Sequence, residues 1–245
     1  MYHQKSPVRR LSRIGLFLCR RGFPLGCNKG AMKGIPQTLL PSFVETDTFS
    51  FERGLLLQGY VHIAGTDEAG RGPLAGPVVA ASVILPAGCN FSIFEDSKKL
   101  SAAKREQLVL ELVKINAHVS YSVVSEGEID SINILQASLL AMKKSLESLP
   151  VSPDFILVDG KFQVPLATPQ AAIVKGDSRS ASISAASIVA KVTRDRLMCR
   201  YHEKYPQYGF NTNKGYPTLA HRKAIQEFGV CPIHRKTFAG VRDYL

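Results

Sequence analysis

A chain of 245 residues, 45% hydrophobic and 21% charged, is long enough to bury the core of one domain with an appendage. No apolar run approaches the roughly 20 residues that a membrane-spanning helix needs, which argues against a membrane enzyme. The five cysteines are odd in number, widely scattered and without a CxxC pair, which argues against a disulfide framework or a zinc cluster. We therefore expect free thiols in a reducing compartment and a cytoplasmic protein.

The positive charge of the chain is unevenly distributed. The net charge is +11, but eight of the 31 basic residues lie within residues 1–44, and the first acidic residue is Glu45. The remainder carries a net charge of only +3. A polyanionic partner is indicated, and the globular part would contact it through local basic patches and a limited number of phosphates.

We interpret residues 1–48 as a basic, disordered amino-terminal arm. The apolar piece Ile14 to Cys19 is too short for a signal-peptide core, and two arginines follow it where a cleavage site would stand. An organellar transit peptide, and a translation start upstream of the true one at Met32, are the alternatives. The arm and the start-site interpretations are favoured over the transit peptide because the segment lacks an amphipathic helical period.

From Phe49 onward the pattern is that of one folded domain, residues 49–245. Two β-rich runs flank a Gly/Pro segment at 70–76, which predicts a hairpin or a close strand pair. Strands alternating with helices then indicate an α/β fold with a mixed sheet flanked by helices and a helical C-terminal part. Strands are predicted over 62–67, 77–85, 117–124, 155–158 and 171–174, and helices over 49–58, 101–115, 132–149, 178–205 and 218–228, with Ser101 as an N-cap and Pro150 as a terminator.

Three apolar strands in this prediction each end in a carboxylate with a glycine nearby. Asp67 and Glu68 close the first strand, and Gly70 would free the backbone so that both acids can turn toward one site. Asp159 and Asp177 follow the fourth and fifth strands. Because ligand sites of open α/β sheets gather at strand ends, we expect the four acids to converge.

Converging carboxylates repel one another and need cations to share a site. Oxygen ligands without His or Cys favour Mg²⁺ or Mn²⁺ over zinc, and two such ions can catalyse phosphoryl displacement. Solvated acids or helix caps would explain the same residues, and Asp177 is well placed to cap the helix that follows it. Spacing alone leaves both interpretations open.

The segment around Asp67 and several blocks downstream resemble the bacterial ribonuclease HII family. The blocks stand in the family's order and extend from about Phe51 to Gly240, which makes the resemblance specific. They are Asp67-Glu-Ala-Gly-Arg-Gly72 with Ala75-Gly-Pro-Val78, Asp96-Ser-Lys-Lys-Leu-Ser101, Val158-Asp-Gly160, Lys175-Gly-Asp177 with Ser184-Ala-Ala-Ser-Ile-Val-Ala-Lys-Val-Thr-Arg-Asp195, and Tyr208-Gly-Phe210 with Lys214-Gly-Tyr-Pro-Thr218 and His221.

The resemblance implies a ribonuclease-H-like fold and two divalent ions, Mn²⁺ or Mg²⁺. It implies an endoribonuclease that hydrolyses the RNA strand of RNA–DNA hybrids and incises 5′ of single ribonucleotides in duplex DNA. The products would carry a 3′-hydroxyl and a 5′-phosphate. The family's catalytic and metal-binding acids match Asp67, Glu68, Asp159 and Asp177.

Further residues match the family's substrate contacts. The resemblance places Gly70, Arg71 and Gly72 at the 2′-hydroxyl, the group that distinguishes RNA from DNA. Glycines also let backbone amides approach a sugar-phosphate closely. Tyr216 matches a tyrosine that packs against the nucleotide at the RNA–DNA junction, although a core tyrosine is the alternative. The remaining expected substrate contacts are Ser97 and Lys98, with neighbouring Lys99 also expected to meet phosphate, and solvated lysines are the alternative for the two lysines.

Two positions keep open alternatives. Lys191 and Arg194 lie three residues apart and share a helical face, which suits either an exposed basic surface or phosphate binding. His221 is better explained by a local hydrogen bond on its helix than by a role as a base. The small residues at 181–190 are best explained by close packing of a helix on the sheet.

Two other functions compete with the ribonuclease. The first is another two-metal nuclease of the same fold, and the second is a catalytically inactive hybrid-binding protein. The expected partners are RNA–DNA hybrids and ribonucleotide-containing duplex DNA. We expect a monomer, no membrane association and no sliding-clamp partner, since no clamp-binding box is visible near the C-terminus.

Overall fold

A computed structural model of the chain describes residues 48–94 and 100–245. Its centre is one five-stranded sheet with the strand order β3-β2-β1-β4-β5. β1 pairs antiparallel with β2, and β2 with β3, whereas β1, β4 and β5 run parallel. This is the predicted mixed sheet. The strands are β1 (Ile63–Ala69), β2 (Val78–Ile84), β3 (His118–Val124), β4 (Phe155–Asp159) and β5 (Gln170–Ile173).

Helices cover both faces of the sheet. The helices are α1 (Ser50–Leu57), α2 (Ala102–Lys114), α3 (Glu126–Ile132), α4 (Ile134–Glu147), α5 (Ala181–Lys204), α6 (Phe210–Asn213) and α7 (Leu219–Phe228). α5 packs across β1 and β2 on one face, and α4 packs across β2 and β3 on the other. Among the described residues, no helix is both long and apolar enough to cross a membrane.

α5 approaches the sheet closely because its first ten residues are small or apolar. All residues from Ala181 to Ala190 are buried, which confirms the predicted close packing. A Cβ atom on Gly65 would lie 2.2 Å from the backbone carbon of Ser182, so β1 tolerates only glycine there. The close approach carries the cleft-facing residues of α5 to the end of β1.

A buried carboxylate joins α1 to the start of α5. One oxygen of Glu52, Oε1, accepts hydrogen bonds from the Ser180 hydroxyl at 2.6 Å and from the Ser182 amide at 3.0 Å. The Ser182 hydroxyl donates to the same oxygen. An anion at a helix N-terminus satisfies donors that lack intrahelical partners and is favoured by the helix dipole. Burial nevertheless raises the pKa of Glu52, because the serine donors offset only part of the lost hydration.

The helix predicted over 132–149 is α4, Ile134–Glu147, whereas the short helix α3 that precedes it was not predicted. Asn133 has a φ of 68°, which ends α3 at Ile132, and its side chain accepts from the Leu135 and Gln136 amides to begin α4. α3 begins at a capping box formed by Ser125 and Glu128. The sequence prediction missed α3 because it relied on apolar spacing and overlooked the capping box at Ser125 and the helix end at Asn133.

The C-terminal part builds a separate apolar cluster beside the sheet. Tyr208, Phe210 and Ile225 are buried in it together with Met198 of α5. Short backbone bonds tie the cluster to the loop between β1 and β2, since the Gly76 amide donates to the Ile233 carbonyl at 2.9 Å. This helical part therefore supports the loop that follows the acidic end of β1.

Candidate active site

The register of β1 and β4 brings acids of two strands together. Thr66 pairs with Val158 in the parallel ladder, so Asp67 and Asp159 follow at the same level of neighbouring strands. Asp67 and Glu68 do not close β1 as expected, because they still pair with β2 opposite Ala81 and Ala80. Release of the backbone at Gly70 is therefore not what places them, and that part of the prediction was wrong.

Asp67 carries the strongest electrostatic perturbation of the acidic group. Burial raises its pKa well above the usual value, and the charges of Glu68 and Asp159 raise it further. Hydrogen bonds from the Ser187 side chain and the Glu68 amide oppose this rise without cancelling it. Three acids are thus close enough to disfavour one another's ionisation.

Glu68 is held beside a cation. Burial raises its pKa, Arg71 opposes the rise through its charge and a 3.2 Å hydrogen bond, and Asp159 adds to it. The Arg71 side chain remains half exposed. The pair therefore leaves Arg71 accessible at the cleft while steadying the Glu68 carboxylate.

Asp159 and Asp177 are linked through Gly176. The Gly176 amide donates to Asp159 Oδ1 at 2.6 Å, and Asp177 follows in a short 3₁₀ turn, Gly176–Ser178, where it is buried. Asp177 does not cap α5 as we considered, because Ser180 is the N-cap and accepts from the Ile183 amide. Asp177 lies close along the chain to an Asp159 contact but does not line the cleft described next.

One open cleft of about 490 Å³ joins these acids to the predicted substrate contacts. This size is within the roughly 300–1,000 Å³ of small-molecule sites. Arg105 and Ser187 line the same cleft as the acids, although no sequence pattern indicated a role for either residue. The lining residues are Asp67, Glu68, Ala69, Gly70, Arg71, Gly72, Arg105, Asp159, Ser187, Lys191 and Tyr216.

The basic residues of α5 separate into two environments. Lys191 lines the cleft and pairs with Asp195 at 2.8 Å, and Arg105 of α2 approaches the same Asp195 at 3.9 Å. Arg194 is only 1% exposed and donates to backbone carbonyls, so neither alternative left open for the pair, an exposed basic surface or phosphate binding, applies to Arg194. A spacing of three residues does not distinguish these environments, because α5 is buried over most of its circumference.

Tyr216 stands at the rim of the cleft and is 43% exposed. Its ring lies over Gly72, where an added Cβ would meet Tyr216 Cε1 at 3.8 Å. Its backbone is fixed, since the Tyr216 amide donates to the Asn213 carbonyl at 2.9 Å. An exposed ring on a fixed backbone suits stacking on a base.

Behind Tyr216 lies a chain of neutral histidines. His221 Nδ1 lies 2.9 Å from the Tyr216 carbonyl, and His221 Nε2 lies 3.1 Å from His234 Nε2. The Cys231 amide donates to His234 Nδ1 at 2.9 Å. These partners assign one proton to each ring. The local hydrogen bond expected for His221 is confirmed, whereas no sequence signal indicated His234.

Burial sets the protonation of this pair. Burial, together with the neighbouring His221, lowers the pKa of His234 to about 4. Burial also lowers the pKa of His221. Both rings are therefore neutral near pH 7, which matches the hydrogen-bond chain they form.

Ser97 and Lys98, the remaining predicted substrate contacts, lie outside the described residues. Within residues 48–94 and 100–245, no set of three or more His, Cys, Asp or Glu side chains is arranged to hold a metal ion as the side chains stand. The fit of a cation therefore rests on donor chemistry. The carboxylates of Asp67 and Glu68 are buried, and their raised pKa values show that nearby positive charge does not balance theirs. Such carboxylate oxygens are the ligands that a hard divalent cation prefers.

Comparison with known proteins agrees with this architecture. The sequence model of the ribonuclease HII family matches residues 64–241. A ribonuclease HII from Desulfotalea psychrophila is 58% identical over 209 residues, which cover 84% of this chain and 93% of that protein. The ribonuclease H2 of Pyrococcus horikoshii superimposes with a TM-score of 0.63 at 29% identity, covering 74% of this chain and 96% of that chain.

A second solved structure, a complex of PCNA with ribonuclease HII from Archaeoglobus fulgidus, gives a TM-score of 0.62 at 27% identity and covers 73% of this chain and 95% of that one. The mixed sheet with its acidic edge thus places the chain among the ribonuclease-H-like proteins. More narrowly, the chain belongs to the ribonuclease HII family. It is an endoribonuclease, a hydrolase of phosphodiester bonds.

Proposed function

We propose that the cleft hydrolyses the RNA strand of RNA–DNA hybrids and incises 5′ of single ribonucleotides embedded in duplex DNA. The observation that carries the proposal is the meeting of two different groups in one cleft. Asp67, Glu68 and Asp159 supply negative charge, and Gly70–Gly72 with Tyr216 supply a narrow surface beside it. A nuclease that reads the sugar of its substrate needs both groups within one nucleotide of each other.

The proposed hydrolysis leaves a 3′-hydroxyl and a 5′-phosphate. A water oxygen bonds to phosphorus, the bond between phosphorus and O3′ breaks, and O3′ takes up a proton. Asp67, Glu68, Asp159 and Asp177 would hold the divalent ions, Mn²⁺ or Mg²⁺. When bound, such ions supply activation of the water and stabilisation of the leaving oxygen.

The chain's own residues prepare the acids for this role. The Gly176 amide fixes Asp159, and the Ser187 side chain and Glu68 amide orient Asp67, so the carboxylates keep their direction despite repulsion. Arg71 pairs with Glu68 at the mouth of the cleft. Lys191 and Arg105 place positive charge where the phosphates of a bound strand would pass.

Recognition of the sugar is proposed for the opposite wall. The Gly70–Gly72 backbone would contact the 2′-hydroxyl, and Tyr216 would pack against the nucleotide at the RNA–DNA junction. Ser97 and Lys98 would meet phosphate. A nuclease specific for DNA has no need of a 2′-hydroxyl contact, and an inactive binding protein has no need to bury repelling acids.

The test uses a labelled DNA duplex that carries one ribonucleotide, with Mg²⁺ and Mn²⁺ compared. We expect one cut on the 5′ side of the ribonucleotide, abolished by EDTA, and no cut in the same duplex made of DNA alone. Equal cutting of both duplexes would establish the DNA-nuclease alternative. Tight binding of the ribonucleotide duplex without cutting in either metal would establish the inactive hybrid-binding protein.

A further inference from the structure

Two buried arginines lie directly behind the cleft. Arg194 of α5 is 1% exposed and Arg235, near the C-terminus, is fully buried. Arg194 donates to the carbonyls of Pro77, Lys214 and Ala75 at 3.0, 3.0 and 3.1 Å. Arg235 donates to the carbonyls of Gly76, Arg71 and Gly70 at 2.9, 2.9 and 2.6 Å.

The carbonyls that the arginines bind belong to the two segments proposed to read the sugar. Arg235 holds the carbonyls of Gly70 and Arg71, and Arg194 holds that of Lys214, two residues before Tyr216. Arg194 also holds the far end of the loop at Ala75 and Pro77. Of the two arginines, Arg194 is therefore the one whose side chain binds both the loop after β1 and the segment that carries Tyr216.

The two segments also contact one another through the backbone. The Leu74 amide donates to the Gly215 carbonyl at 2.8 Å, and the Arg235 amide donates to the Leu74 carbonyl at 2.9 Å. Gly70 is shaped by the same arrangement, because its φ is +102° and an added Cβ would lie 2.1 Å from Arg194 Nε. A glycine is thus required at position 70 because its backbone packs directly against the buried Arg194 side chain.

A guanidinium is suited to this task because it presents five N–H donors in a rigid planar fork. Each fork here binds three carbonyls of separate residues and fixes their mutual distances. A lysine at either position would keep the charge but present its donors from a single atom. It could not reach three carbonyls that point at different edges of a fork.

We propose that Arg194 and Arg235 are positioning residues for RNA-versus-DNA selectivity. They fix Gly70–Gly72 and Tyr216 relative to one another, so that the two neighbouring segments can contact the same ribonucleotide. Neither arginine lines the cleft, so both act through the backbone that they bind. The inference rests on the proposed function, because it names the residues that set the substrate selectivity of that same site.

The test measures selectivity in the metal-loaded enzyme. For each variant we would determine kcat and KM on the single-ribonucleotide duplex, and Ki for the all-DNA duplex as a competitor. The ratio of Ki to KM reports preference for the ribonucleotide, whereas kcat reports the carboxylates. Arg194→Lys is expected to lower the ratio about tenfold and kcat by less than about threefold, and Arg235→Lys to do the same.

The matched control is Arg196→Lys, which lies on the same helix but pairs on the surface with Glu106. Its ratio is expected to equal that of the wild type. A double variant adds a second readout, because Arg194 should act partly through Tyr216. The loss of selectivity in Arg194→Lys combined with Tyr216→Ala should then be smaller than the product of the two separate losses.

The outcomes separate the inference from the proposed function. A wild-type enzyme that cuts both duplexes equally would sink the proposed function itself. A wild type that cuts only the ribonucleotide duplex but binds both equally would overturn the inference alone. A selective wild type whose Arg194→Lys and Arg235→Lys variants keep the full ratio would overturn the inference alone. If one variant does not fold, the other decides by the same ratio. If neither folds, the arginines are structural residues and the inference is overturned.

Discussion

Buried charge is stabilised in different ways in two regions of the molecule. One is the acidic end of the sheet, and the other is the cleft wall formed by Gly70–Gly72 and Tyr216, behind which Arg194 and Arg235 lie. At the sheet edge, three carboxylates disfavour one another's ionisation, those of Asp67, Glu68 and Asp159. The charge of Arg71 offsets only part of this effect. Behind the wall, each buried guanidinium is surrounded by three carbonyl oxygens. The acids of the first region lack compensating charge. Burial is costly in the second region too, since it lowers the pKa of Arg194 and, with the charge of Arg194, that of Arg235 to about 9, but there the hydrogen bonds to carbonyls hold the arginines and the backbone in place.

The difference corresponds to the two tasks of the proposed enzyme. Acids that lack compensation gain most from a cation or a developing positive charge, so their strain is useful only when a ligand arrives. A recognition surface must keep its shape before the substrate binds, because preorganisation lowers the entropy lost on binding. Chemistry is thus assigned to the strained region and discrimination to the rigid one.

The largest expected effect tests the strained region. Asp159→Asn should leave the fold intact and lower kcat/KM by more than the roughly 100-fold that loss of an outer-shell partner of a metal costs. The amide keeps the size of the side chain but loses the charge that would hold a divalent ion. Cleavage assays over a range of Mn²⁺ concentrations, with the exposed Asp243→Asn as the control, would measure this. A near wild-type rate at saturating Mn²⁺ would remove Asp159 from the proposed metal site.

The next effect tests the rigid region. Tyr216→Ala should lower kcat/KM at a single embedded ribonucleotide by about 5- to 150-fold, which corresponds to a stacking energy of roughly 1–3 kcal/mol. A continuous RNA–DNA hybrid offers many binding registers, so its cleavage should fall less. The acids are untouched, and metal affinity should not change. Equal losses on both substrates would make Tyr216 a packing residue.

A stability measurement probes the strain directly. The pKa of Asp67 is raised in the folded protein, so stability falls as the pH rises from the ordinary carboxyl range toward the raised folded value, and the loss is complete above that value. Asp67→Asn should therefore raise Tm at pH 7.5 in EDTA, by about 2–4 °C for each kcal/mol of strain removed. The same substitution should abolish any rise in Tm that Mn²⁺ produces in the wild type. A lower Tm in EDTA would show that the acids are not strained.

The histidine pair gives the rigid region a pH dependence of the opposite sign. The folded pKa of His234 is about 4 against an ordinary 6.5, so the unfolded chain binds more protons between these values. Stability is therefore lost as the pH falls from about 6.5 toward about 4. His234→Gln should flatten the fall in Tm between pH 6.5 and 5 relative to the wild type. An unchanged slope would contradict the neutral hydrogen-bond chain behind Tyr216.

The smallest effect concerns the basic arm. Deleting residues 1–31 should preserve cleavage and weaken nucleic-acid binding only at low salt, because diffuse charges are screened over about 8 Å at physiological ionic strength. Binding curves at two salt concentrations would measure it. A truncated protein that fails to fold or cut would show that the arm belongs to the domain, and both regions compared above would then need it.

The sequence predicted the sheet and the acids well because both depend on local patterns. Alternating or continuous apolar runs located all five strands. Strand ends predicted that four acids converge, and in the structure Asp67, Glu68 and Asp159 line one cleft, whereas Asp177 does not line it. His234 was missed because no motif marks it, although its partners Cys231 and His221 lie only 3 and 13 positions away. Arg235 was missed because its role depends on contacts with residues far along the chain. Arg235 binds Gly70, 165 positions away, and no local pattern encodes such a pair.

The break at Asn133 and the burial of Arg194 show a second limit. Apolar spacing located α4, but it did not indicate the short α3, which is marked by its capping box and by the positive φ of Asn133. Spacing also assigns a residue to a face without saying whether that face is exposed. The environment of Arg194 is decided by the loop after β1, which packs over α5 from a distant part of the sequence.

The Glu52 bridge has a consequence for the order in which the enzyme is made. α1 and β1 are synthesised early, but the partner of Glu52 at Ser182 stands 130 positions later, and the parallel neighbour of β1 is also made late. Glu52 Oε2 is buried and has no hydrogen-bond partner among the described residues, so the hydrogen bonds to this carboxylate come from the start of α5 through Oε1. A nascent chain that ends before α5 therefore holds Asp67 and Glu68 without the elements that orient them. The acidic cleft can therefore take its final form only after α5 has been synthesised.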